Sequence, residues 1–346
     1  MNASDFFSDL FRGFCRETCA GCAGLYVLLI VGAAGLAQDE IQLRQADGTF
    51  AARTGTILRY DADALVLRSG EREQSFPTDR VISVTTPWDR IAQPAEQLFA
   101  ERKFELAFAE FGKANEAAVP AWFRQRLFAG RVKSAREMDA RAQAVQAYTE
   151  LLQADPKSRY AFEIPLAWTS GRPDPLLDRQ IDQLLASQTP AYQLLGASHG
   201  LTSAERERAV QILQQLRRDI DPLIAQLADC QLWRLEPLPP STEILEEREQ
   251  AIRRLPEPWQ AGPWWLLGNQ WERADPERSA LMLMRIPILY PEQFGLSARA
   301  LLGAGDRLAG LGRSTEAEAL WRELVDRHDG TAEARVARER LTGLRQ

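Results

Sequence analysis

Residues 264–291 constrain the fold of this chain more than any other stretch. Trp264, Leu267-Gly268 and Trp271 read W-x2-L-G-x2-W, and Ala280 follows Trp271 by nine positions, with Met284 and Pro291 behind it. The spacing has a mechanical reading. Large residues on one helix meet small ones on the next, so the two pack closely and antiparallel, and a proline ends the unit. A chain that repeats this device folds as stacked helical hairpins.

The pattern resembles the tetratricopeptide repeat, a helix pair of about 34 residues with W-x2-L-G-x2-Y followed by Ala, Phe and Pro. Further copies are present. Gly305, Leu308, Ala317, Trp321 and Leu324 make one, with Ala317 lying 37 residues after Ala280. Ala95, Leu98, Ala107, Phe111 and Ala114 make another. Ala144, Tyr148, Leu151 and Pro156 follow it, again 37 residues on. A looser copy reads Tyr192, Leu195-Gly196, His199, Ala209, Leu213 and Leu216. Residues 157–189 and 222–256 have helical pattern without the signature. The resemblance covers 91–346 and implies a helical-hairpin solenoid, a binding architecture. The segment A-x3-W-x-E-L-V-D-R-H-D-G-T at 317–331 is similar to terminal repeats of bacterial cell-envelope proteins of this family.

Helix starts support the hairpins. Asp174-Pro175, Thr189-Pro190 and Asp221-Pro222 each put an acceptor at the N-cap and proline at the first helical position. Thr202-x-x-Glu205 reads as a capping box, and Gly200 as a C-terminal glycine. Prolines at 237, 239, 240, 256, 258 and 263 interrupt the pattern, so a division into two lobes is expected near 237–263.

The first 90 residues differ. Residues 24–37, GLYVLLIVGAAGLA, are apolar but shorter than the ~20 residues of a spanning helix. Small residues at Gly35 and Ala37 fit cleavage before Gln38, so 1–37 is expected to be a signal peptide, with an uncleaved membrane anchor as the other reading. Export to the periplasm or envelope follows from either. Cys15, Cys19 and Cys22 have the C-x3-C-x2-C spacing of a thiolate-held iron–sulfur cluster, but the export segment begins two residues later, and no cofactor is expected. After cleavage Cys230 stands alone, which excludes an intramolecular disulfide. Residues 38–90 alternate at period two around Ile41, Leu43, Ile57, Leu65, Leu67, Val81 and Val84. Turn signals at Asp47-Gly48, Gly55, Asp61-Ala62-Asp63 and Ser69-Gly70 separate them. The run resembles a small antiparallel barrel of the Sm-like or SH3-like kind. The expected fold is therefore mainly α, a tetratricopeptide-like solenoid preceded by a small antiparallel β-barrel.

A net charge of −6 with acidic and basic residues interleaved describes solvated helix faces and excludes a nucleic-acid footprint. Two histidines, His199 and His328, are too few and too scattered for a metal site or a triad. Gly303-x-Gly305-x4-Gly310 sits in a helical pattern, where a dinucleotide loop has no strand before it. No catalytic residue, cofactor or metal is expected, and the chain does not read as an enzyme. The expected function is a non-catalytic scaffold that holds a protein or peptide partner in the solenoid groove. By helical phase, Trp265, Asn269 and Arg273 would line that groove in one repeat, and Arg126, Lys133 and Arg136 in another. Such a basic and aromatic groove suits an acidic or carboxyl-terminal peptide. The alternative is an envelope glycan-binding protein or enzyme using the barrel or the Trp-rich segment 259–271.

Overall fold

A computed structural model of the chain describes residues 38–169, 171, 174–236 and 240–343. The expected signal segment and its three cysteines lie outside the described residues. Gln38–Gln346 forms one compact unit in which a five-stranded sheet is followed by fourteen described α-helices.

The sheet contains β1 (Asp39–Arg44), β2 (Phe50–Tyr60), β3 (Ala64–Ser69), β4 (Arg72–Pro77) and β5 (Val81–Thr85), in the order β4-β3-β2-β1-β5. Alternation places Ile41, Leu43, Ile57, Tyr60, Leu65 and Leu67 in one buried cluster. Buried Asp39 ties the layer together, accepting from Ile57 N at 2.8 Å and Thr86 Oγ1 at 2.5 Å. Three of the expected turns hold: Gly48 and Gly70 take φ of 83° and 61°, and between β2 and β3 Asp61 Oδ1 accepts from Asp63 N and Ala64 N at 2.9 Å. Gly55 does not mark a turn. It lies inside β2, where any Cβ would collide with the Arg68 carbonyl of β3. The sheet bends at bulges near Leu43 and between Ile57 and Arg59, yet the edge strands β4 and β5 do not pair with each other, so it is an open sheet and not the closed barrel expected. Trp122, from the third helix, packs against the same apolar cluster and supplies cover from the helical side.

Five hairpins fall where the sequence copies lie. They are α1 (Asp89–Ala100) with α2 (Phe104–Asn115), α3 (Ala121–Glu137) with α4 (Arg141–Ala154), α6 (Pro190–Gly200) with α7 (Arg206–Leu216), α10 (Ala261–Trp271) with α11 (Pro276–Leu289), and α12 (Phe294–Gly310) with α13 (Ser314–Arg327). Between and after them stand α5 (Pro175–Leu185), α8 (Pro222–Leu232), α9 (Thr242–Arg254) and the closing α14 (Ala332–Gly343). The small positions do what the spacing requires. A Cβ on Gly268 would sit 2.8 Å from Leu283 Cδ2, so α10 and α11 touch only because it is absent. Trp264 and Trp271 are fully buried beside it. Three hairpins share one turn, with Arg102, Asp139 and Gly312 at positive φ. The next residue's N–H bonds the carbonyl five back, Lys103 to Leu98, Ala140 to Ala135 and Arg313 to Leu308, each at 2.9 Å. A recurring turn of this kind, after a small sheet, is compatible with a helical repeat.

Caps are mixed. Asp174 and Asp221 accept from the first-turn amides as expected, whereas Thr189 occupies its N-cap without a side-chain bond. The capping box at Thr202 does not form: α7 starts after Glu205, and Thr202 Oγ1 turns back to the His199 carbonyl at 3.4 Å. Gly200 keeps helical geometry, and its missing side chain instead makes room for Ala209, whose Cβ would lie 3.0 Å away. One buried cluster runs from Phe128 to Ala304 across both proline-rich stretches, so the core is continuous where a lobe boundary was expected.

The array curls until its first and last hairpins meet. The Arg102 guanidinium lies 4.2 Å from the Phe294 ring, which stacks 4.3 Å from His328. Glu137 at the end of α3 accepts from Gly295 N at 2.7 Å, acting as a borrowed N-cap for α12.

Candidate functional site

The basic residues expected on the α3 groove face are all engaged by carboxylates of the same chain. Arg126 donates to Glu96 at 2.6 and 2.8 Å and to Asp89 at 2.6 Å. Lys133 and Arg136 converge on buried Glu163, at 3.2 and 3.0 Å. Burial alone would lower the pKa of Arg136, but Glu163 and then Glu137 outweigh it, and the net shift is upward. Burial raises the pKa of Glu137, only partly opposed by Arg136 and the Gly295 amide.

Glu163 leads into Ile164–Thr169, a non-helical segment in contact with α4, α6, α10 and α12. Ile164, Pro165, Leu166 and Ala167 are buried. Pro165 removes a donor and holds its predecessor out of helical geometry, so the segment cannot continue as helix. Side chains satisfy its backbone. Ser198 Oγ accepts from Ala167 N at 2.8 Å, and His199 Nε2 donates to the Pro165 carbonyl at 2.8 Å. Arg299 Nη1 reaches Thr169 Oγ1 at 2.5 Å from α12. Trp168 then lies flat on Gly262 of α10, where any Cβ would collide with the indole. The chain's own acidic segment thus sits where the basic face was expected to hold a foreign one.

The α10 side is different. Trp265 and Asn269 line an open cavity of about 720 Å³, together with Trp168, Thr202, Arg206 and Arg234. Asn269 is fixed at both ends of its carboxamide: Nδ2 donates to the Trp265 carbonyl at 2.7 Å, and Oδ1 accepts from Arg307 at 2.9 Å. Arg273 does not join them. α10 ends at Trp271, so helical phase no longer applies, and Arg273 is exposed in the turn before α11. Sequence reasoning missed Trp168, Arg206 and Arg234. Trp168 arrives from a non-helical segment, and Arg234 from a 3-10 turn, Trp233–Leu235, that prolongs α8.

A second, smaller cavity of about 120 Å³ lies across the segment, walled by Arg136, Glu137, Arg141, His199 and Arg299. Its volume suits water and not a peptide. His199 contributes little chemistry there. Its Nε2 must carry the proton to bond the carbonyl, and burial, helped by Arg141 and Arg234 and only partly opposed by that hydrogen bond, holds its pKa down at about 4. His328 is likewise held at about 4 by burial and then by Arg102 and Arg327. Among the described residues no group of three or more His, Cys, Asp and Glu is placed to hold a metal. No protein family, curated protein or solved structure matches the chain.

Proposed function

We propose that this is a tetratricopeptide-like scaffold of the bacterial cell envelope, non-catalytic, that holds a segment of a partner protein in the cavity at Trp265. The observation that carries the reading is that cavity itself. It is open, peptide-sized, and faced by two indoles, Trp168 and Trp265, with Arg206 and Arg234 beside them. Both histidines are occupied in packing, His199 on the Pro165 carbonyl and His328 under Phe294, which favours binding over chemistry. Export rests on the apolar 24–37 run ending Gly35-Leu36-Ala37, and amino-terminal sequencing of the mature protein should begin near Gln38.

The test is a random-hexapeptide array and a panel of soluble polysaccharides, each probed with the full chain and with Trp265→Ala. Peptide retention that the variant loses is the expected result. Retention of polysaccharide alone would replace the scaffold with the glycan-binding reading, and retention of neither would end the proposal.

A further inference from the structure

Arg234 stands in an unusual position for a guanidinium. It is largely buried, and its Nη1 donates to the Ser198 carbonyl at 2.7 Å and to Gln231 Oε1 at 2.6 Å, both uncharged acceptors. Among the described residues no carboxylate pairs with it. The acids nearest to it in sequence are committed elsewhere, Asp229 to Arg217 at 2.8 Å and Glu236 to Arg248. Burial, reinforced by the charge on Arg141, pulls its pKa down to about 10, the signature of a cation held without a counter-charge. Other partly buried arginines of this chain, Arg126, Arg136 and Arg248 among them, do have counter-charges.

The cavity wall repeats the imbalance. Among the described residues, its lining includes Arg206 and Arg234 and no aspartate or glutamate. Arg206 is exposed and makes no ion pair among the described residues. Among the described residues, the indole N–H groups of Trp168 and Trp265 have no hydrogen-bond acceptor. Donors without acceptors, around a partly desolvated positive charge, are complementary to an anion whose two oxygens can face a guanidinium fork.

We propose that the cavity seats a carboxylate of the bound peptide on Arg234, with Arg206 at the mouth and the two indoles enclosing the adjoining apolar atoms. The inference rests on the scaffold reading and adds the chemistry of what is held. The carboxylate comes from an acidic side chain or from a chain terminus, and the experiment separates these sources.

Fluorescent random hexapeptides are titrated against the full chain in three pools: free α-carboxyl without acidic residues, amidated with one Asp or Glu, and amidated without acid. One or both carboxylate pools should bind roughly tenfold or more tightly than the acid-free amidated pool, the scale of a charge-assisted bond. Which pool leads identifies the source. Raising the salt should weaken the leading pool and leave the acid-free pool unchanged. Arg234→Gln should abolish the preference. Arg206→Gln, an exposed change that leaves the fold intact, should reduce it. Equal binding by all three pools would overturn the carboxylate seat and leave the scaffold standing. Binding by none would overturn both.

Discussion

Two arginines on the inner face of the same helical array, Arg136 and Arg234, have opposite surroundings. Arg136 meets Glu163 and Glu137 and is locked into the fold. Arg234 meets a carbonyl and a carboxamide and faces open volume. The difference lies in one segment, Phe162–Thr169, whose acidic end reaches the first arginine and whose Trp168 stops beside the second. A groove predicted from helical phase tells which residues face inward. It does not tell which of them the chain has already covered.

The strongest test breaks the locked side. Arg136→Met leaves Glu163 with Lys133 alone and Glu137 with a single backbone amide, both in low-dielectric surroundings. Removing one partner of a buried ion pair typically costs ~3–5 kcal/mol, and urea unfolding should show a loss on that scale. A change below ~1 kcal/mol would mean the α3 face is solvated and still open to a ligand.

The adjacent tryptophans sharpen the same contrast. Trp264 is 1% exposed and its Nε1 donates to Gln260 at 3.2 Å, so Trp264→Ala should cost about 3–5 kcal/mol. Trp265 only partly packs on the core and borders the cavity, so Trp265→Ala should cost about 1 kcal/mol or less. Equal losses in thermal melts would place both rings in the core and close the cavity as a site.

Acid titration probes the segment through His199. A folded pKa near 4 against 6.5 unfolded means the unfolded chain binds the extra proton first. The stability this gives is full above pH ~6.5 and is lost as pH falls from there to about 4, by roughly 3 kcal/mol. Glu137, with its pKa raised, acts in the opposite sense within part of that window. The diagnostic is therefore a difference: His199→Gln should flatten the acid limb relative to the parent chain. Superimposable limbs would show that His199 is not holding the Pro165 carbonyl as a neutral donor.

The hairpins were legible because their rules are local. Gly268 and Ala280 belong to units that pack against sequence neighbours, and the copies 37 residues apart report the same contact twice. Trp265 and Asn269 share a cavity wall because α10 is helical through both. Arg273 lies apart from them because the helix has ended. The rest depends on long-range pairing that no local pattern encodes. Glu163 gives no hint that Lys133 and Arg136 will claim it, and Gly295 none that Glu137 will cap α12. Ile164–Thr169 has neither a period of two nor of 3.6, since its contacts come from α4, α6, α10 and α12. The cover of the sheet is long-range in the same way, because Trp122 of α3 packs on its core.

The smallest expected effect is the most informative about Arg234. Replacing it with Met removes a partly desolvated charge that has no counter-charge, which relieves a cost. The change also takes a donor from the Ser198 carbonyl, while Gln231 Oε1 keeps Ser198 Oγ at 3.0 Å. One lost neutral acceptor is worth about 1 kcal/mol, close to what the removed charge returns. Arg234→Met should therefore unfold in urea within about 1 kcal/mol of the parent, in contrast to Arg136→Met. A loss of ~3 kcal/mol or more would make Arg234 a structural hub like Arg136, and its position on the cavity wall would then reflect packing and not a retained seat for an anion.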